Sequence, residues 1–226
     1  MLNEKKALLL IGSPKVKNST SESLGDYLLE GLHESGYICE SLHVLSILNK
    51  NKEELLDKVN SADLIIISFP LYVDSLPTSL IKVFELIAND RNTKKIGKKQ
   101  SLIAIANSGF PESFHNHTAL RICENFANKN NFMWLGGFAL GGGAAINGVP
   151  IKQLSGGMTR NVVKALDMAV AAVSINKKVP KEAVEIMARN LIPINIYTSV
   201  ANRGWKAQAK KYKVSRDLYD RPYIKK

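Results

Sequence analysis

The sequence predicts an α/β fold, a doubly wound five-stranded parallel sheet continued by a C-terminal helical extension. Three observations predict it. Short runs rich in Ile, Val and Leu alternate with stretches whose apolar residues recur at helical spacing. The first, third and fourth runs are apolar on both alternating faces, as strands sandwiched between helix layers must be. The length of 226 residues, 45% of them hydrophobic and 23% charged, supplies the core of one sizeable domain.

Strands are expected at Lys6 to Ile11, Ile38 to Val44, Leu64 to Phe69, Leu102 to Asn107 and Phe132 to Leu140. Helices are expected at Ser21 to Glu34, Lys52 to Asn60, Thr78 to Asn89 and Thr118 to Asn128, each following a strand. After Gly141-Gly142-Gly143 the pattern changes to a Gly/Pro/Ser connection and two helical segments, Thr159 to Ile175 and Lys181 to Leu191, then a tail from Arg203. No linker divides the chain, so residues 1–226 read as a single domain, with about 144–226 as a helical extension on it.

Two cysteines, Cys39 and Cys123, exclude a disulfide framework and a four-cysteine cluster, and a reducing, cytoplasmic setting is expected. Both lie in expected core elements. No apolar run approaches the roughly 18 residues of a membrane span, and Ala7 to Ile11 reads as a buried first strand rather than a leader. Neither G-x-S-x-G nor a metal-ligand spacing is present, so hydrolase and metal chemistry are set aside.

In open parallel sheets, ligands sit outside the carboxyl ends of the strands where the strand order reverses, so the loops there carry the functional reading. The first, Gly12-Ser13-Pro14-Lys15-Val16-Lys17-Asn18-Ser19-Thr20, joins a strand to a helix. It matches neither a dinucleotide nor a Walker motif. It offers Ser13, Asn18, Ser19 and Thr20 as donors, lysines at 15 and 17, and the free amides of a helix start, which suit a terminal phosphate monoester. The alternative is that Ser19 and Thr20 only cap the helix. The second loop, Pro70-Leu71-Tyr72-Val73-Asp74-Ser75-Leu76-Pro77, is stiffened by two prolines and presents apolar and aromatic groups that would wall a planar ring. The third, Asn107-Ser108-Gly109-Phe110-Pro111-Glu112, adds an amide, a hydroxyl and another aromatic.

At these residues the chain resembles the flavodoxin-like NAD(P)H-dependent FMN reductase and quinone reductase superfamily. The motifs are strand-Gly-Ser-Pro-Lys…Asn-Ser-Thr, Asp63-Leu64-Ile65-Ile66-Ile67-Ser68-Phe69-Pro70-Leu71-Tyr72, and Asn107-Ser108-Gly109. The resemblance implies that Ser13, Lys15, Asn18, Ser19 and Thr20 hold the FMN phosphate, that Pro70, Leu71, Tyr72 and Val73 lie along the isoalloxazine, and that Asn107, Ser108, Gly109 and Phe110 bond its pyrimidine side. It implies hydride transfer from NAD(P)H through flavin to a quinone, free flavin or similar small acceptor. The competing reading is a flavodoxin-like electron carrier without a substrate site. Many relatives have arginine where Lys15 stands, and the iron-sulfur members need a cysteine cluster that is missing here.

Three further features complete the reading. His115 and His117 are weighed as proton carriers against a solvated pair, and no catalytic residue is assigned. A homodimer is expected, on the resemblance and on the apolar spacing of Leu76, Leu80, Val83, Phe84 and Ile87. The tail from Arg203 carries nine basic and two acidic residues, +7 of the chain's +11. Its aromatics, Trp205, Tyr212, Tyr219 and Tyr223, are expected to pack on the body while the charges stay solvated, with no nucleic-acid or membrane partner.

Overall fold

The computed structural model describes residues 4–95, 97–154, 157–221 and 223–224. The chain forms two compact units, Met1–Leu191 and Ile192–Lys226. The first runs β1 (Lys6–Ile11), α1 (Thr20–Glu34), β2 (Ile38–His43), α2 (Val44–Lys50), α3 (Lys52–Ser61), β3 (Leu64–Pro70), α4 (Thr78–Lys94), β4 (Gln100–Asn107), α5 (His117–Lys129), β5 (Phe132–Leu140), α6 (Arg160–Val173) and α7 (Lys181–Met187). The second holds α8 (Ile194–Lys211). Among the described residues no helix is long and apolar enough to cross a membrane.

The five strands are all parallel, in the order β2-β1-β3-β4-β5. The chain leaves β1 toward one edge and returns to β3 on its other side, so the order reverses between β1 and β3. The carboxyl ends of these strands form the crevice in which such sheets bind ligands. Side chains alternate across the pleat. Leu9, Ile11, Ile66, Ile103 and Phe138 meet Leu24, Leu28, Val162, Leu166 and Ile186 on one face. On the other, Leu8, Leu10, Ile65, Ile67 and Phe69 meet Val44, Leu55, Val59, Leu80, Val83 and Cys123. The three central strands are therefore buried on both sides, as their unbroken apolar runs required.

The helices α6 and α7 belong to the first face of the core, and Val179 N donates to Leu135 O at 2.8 Å, tying the segment between them to β5. Burial pushes the Cys39 thiol up to about 11 and the buried Cys123 thiol further still, so both stay protonated at neutral pH.

Three expectations change. The helix α2 follows β2 directly, where the sequence offered only a connection. Leu76, Leu80, Val83, Phe84 and Ile87, offered as a dimer face, are all buried in the core of their own chain. In the second unit Trp205, Tyr212, Tyr219 and Tyr223 are exposed rather than packed away.

Candidate functional site

The first loop ends in a capping box that anchors α1. Ser19 Oγ accepts from Glu22 N at 3.1 Å, and Glu22 Oε2 accepts from Ser19 N at 3.2 Å. Ser19 thus takes the capping role. Thr20 does something else: its Oγ1 donates to Gly143 O at 2.8 Å, fastening the helix start to the loop after β5. Ser13, buried, accepts from Lys15 N at 3.2 Å. Between them Pro14 to Asn18 are exposed, and Asn18 takes a left-handed conformation at φ 53°.

Among the described residues, the amides of Val16, Lys17 and Asn18 have no acceptor, and Lys15 and Lys17 pair with no carboxylate. Unpartnered amides, two free cations and a helix N-terminus form a donor set suited to a phosphate monoester. The bend that presents them is held from behind: Gly148, at φ +75°, lies so close that a Cβ on it would stand 1.8 Å from Asn18 O.

One buried residue links these strand ends through both its side chain and its main chain. Asn107, at the end of β4, donates from Nδ2 to Ser21 Oγ at 2.8 Å and to Phe69 O at 3.0 Å. Its own carbonyl accepts from Leu71 N at 2.8 Å. Ser68 Oγ donates to Ser21 O at 2.6 Å, closing the set. Asn107 therefore spends its amide donor inside the protein. Sequence reasoning offered Asn107 as a ligand group; it gave no role to Ser68, although Ser68 lies within the Asp63–Tyr72 motif, and it did not mark Ser21.

The second loop turns at Tyr72-Val73-Asp74-Ser75, where Tyr72 and Ser75 exchange both backbone hydrogen bonds at 3.0 Å. Val73 and Asp74 sit at φ 47° and 57°, the geometry of a type I′ turn. A β-branched residue there is strained. Val73 is 98% exposed and Tyr72 47% exposed, whereas Pro70 and Leu71 are half-buried. The third loop is tied to β5: Ser108 N donates to Leu140 O at 3.0 Å, and Gly143 N to Ser108 O at 2.8 Å. Gly109 lies on this turn beside Phe110, which is 56% exposed. Gly141 fits where a Cβ would stand 2.1 Å from Pro111 O, so the run of three glycines serves close backbone approach.

His115 lies between two rings, 4.5 Å from that of Phe110 and 4.3 Å from that of Phe114, with Nε2 3.9 Å from Glu112 Oε2. His117 is exposed at the start of α5. Phe114 is the sequence neighbour of His115, but the Phe110 ring, five residues away across a turn, is brought to it only by the fold.

A separate cleft of about 430 Å³ opens beside the first loop, lined by Asn18, Glu22, Asp26, Tyr27, Glu30 and Lys152 among others. Its lining is mostly acidic, with Lys152 as its one cation among the residues named. Burial, with Glu22 and Glu30 alongside, pushes the Asp26 carboxyl up to about 6, against an opposing pull from His43.

Two predictions follow from this geometry. Asn107→Ala removes two buried hydrogen bonds and orphans their partners, so urea denaturation is expected to show a loss of about 2–3 kcal/mol. An unchanged midpoint would remove Asn107 from its structural role. Native Asp26 keeps its proton to higher pH than the unfolded chain does, so its contribution to stability falls as pH rises from about 4 to 6. Asp26→Asn is expected to raise the melting temperature at pH 7 to 8 and to lose that advantage below about pH 4.

No curated protein matches the chain. Among solved structures, an NADH:FMN oxidoreductase in its apo form aligns with TM-score 0.58 at 16% identity, covering 84% of this chain and 96% of that one. An FMN-dependent NADH-azoreductase from Bacillus anthracis str. Ames Ancestor, solved in complex with FMN, aligns with TM-score 0.55 at 16% identity, covering 75% and 99%. A flavone reductase aligns with TM-score 0.54 at 14% identity over 98% of both chains. At these identities the likeness is one of fold. The family described by the flavodoxin-like fold matches residues 5–140, well over half of the chain. With the β2-β1-β3-β4-β5 order and the strand-to-helix loop at its switch point already in place, the chain belongs to the flavodoxin-like family.

Proposed function

We propose that this chain is an FMN-dependent oxidoreductase that passes hydride from NAD(P)H through the flavin to a quinone, free flavin or similar small acceptor. The observation that carries the reading is the first loop: unpartnered amides at Val16, Lys17 and Asn18, free lysines at 15 and 17, and a helix start, all at the strand-order reversal. Two fold neighbours, an NADH:FMN oxidoreductase and an FMN-dependent NADH-azoreductase, agree with it. FMN, when bound, supplies the two-electron redox chemistry.

The protein's own residues have positional tasks. The backbone from Val16 to Asn18 and Lys15 hold the phosphate, with Ser13 fixing the bend and Thr20 fastening the helix start. Tyr72 and Val73 on one side and Phe110 on the other offer exposed apolar surface to the ring system and exclude water from it. Ser108 and Gly109 lie beside the ring's polar edge in this reading. No side chain is needed as a nucleophile, in keeping with the absence of a nucleophile motif in the sequence.

Anaerobic mixing of the FMN-loaded protein with NADH, and separately with NADPH, tests the proposal. Rapid bleaching of flavin absorbance followed by recovery on adding a quinone is the expected result; FMN that binds but is not reduced by either donor identifies an electron carrier. Tyr72→Ala is expected to lower acceptor kcat/KM by about three- to tenfold, the scale of an aromatic contact, while melting temperature and most of the FMN affinity hold.

A further inference from the structure

We propose that the C-terminal unit, Ile192–Lys226, docks on an anionic lipid surface. The helix α8 and its continuation carry the exposed cations Arg203, Lys206, Lys210, Lys211, Lys213, Arg216 and Arg221. Among the described residues none of these seven makes an ion pair, although Asp217 and Asp220 lie in the same segment. The positive charge is therefore unspent.

The same segment exposes apolar groups that a solvated tail has no use for. Trp205 is 65% exposed, Tyr212 67% and Tyr223 98%, and the aliphatic Ile196, Val200 and Ile224 each exceed half exposure. On α8, Ile194 and Trp205 share one stripe, with Tyr212 in line just past the helix end, while Arg203, Lys206 and Lys210 fall on the opposite side, where Ile196 and Val200 stand beside them. A basic side, an aromatic stripe and ordinary overall hydropathy describe a helix that lies in a membrane interface without crossing it.

Charge and chemistry select this occupant over two others. Residues 1–202 carry 22 basic and 18 acidic residues, so a second copy offers a body of the same sign. A nucleic acid satisfies the cations and stacks on the aromatics, but it leaves Ile194 on the Trp205 stripe, and Val214 and Leu218 beyond the helix, in water, whereas a bilayer interface offers them apolar surroundings.

The test is co-sedimentation of the full chain with phosphatidylcholine vesicles that contain or lack phosphatidylserine, at low and high salt. Binding is expected only with phosphatidylserine, weakening as salt rises, with a blue shift of tryptophan emission that Trp205→Phe abolishes. The variant K206Q/K210Q/K211Q is expected to bind roughly a hundredfold more weakly with a nearly unchanged melting temperature, since these exposed side chains make no ion pair and only Lys211 has a contact to lose, over the Tyr212 ring. Equal binding to uncharged vesicles, full binding by the triple variant, or no binding at all overturns the proposal. Tight binding of a single-stranded oligonucleotide while vesicles are ignored overturns it in favour of nucleic acid, and self-association lost in the triple variant does so in favour of a second copy.

Discussion

The buried amide of Asn107 is the contact on which the rim of this molecule depends. A parallel sheet ends in separate loops, and nothing in the ladder itself keeps them together. Here Nδ2 of Asn107 reaches the first turn of α1 through Ser21 and the end of β3 through Phe69 O, while its carbonyl holds the second loop at Leu71. Ser68 completes the link to Ser21, and Thr20 extends it to Gly143 after β5. Four strand ends thus share one hydrogen-bonded frame, buried where water competes poorly for its members. The frame frees the outer surface of the first loop, whose amides are left for a ligand.

This division of labour explains why the sequence read the loops well and the individual roles less well. The strand Lys6–Ile11 lies where its apolar run placed it, because burial on both faces leaves a pattern that survives in one dimension. The helix α2 escaped notice because seven residues, Val44–Lys50, are too few to establish a helical period. The helix α8 was hidden by its composition: Asn195, Ser199, Asn202 and Gly204 weaken the helical signal. Roles were harder still. Asn107 looks in sequence like a donor for a ligand but is engaged by Ser21, which only the fold brings near, whereas Ser19 takes the local capping role that the sequence also offered. The Asp26 site, with Glu22 and His43 from a different strand end, is likewise a product of packing.

Charge divides the molecule in a way that composition alone conceals. The +11 of the chain is concentrated beyond residue 202, while the cleft beside the first loop is lined by carboxylates from α1. An anionic group approaching the rim meets Lys15 and Lys17 on the loop and carboxylates just beyond it. In the proposed reading, that contrast would favour a phosphate where amides, lysines and the helix start converge.

The central claim is that this loop grips a single terminal phosphate and thereby selects the cofactor. Fluorescence titration with FMN and with riboflavin, which differ only in that phosphate, tests it most directly. The account predicts that FMN binds at least a hundredfold more tightly, about 3 kcal/mol for a dianion held by amides and cations. Equal affinity for the two flavins would contradict it.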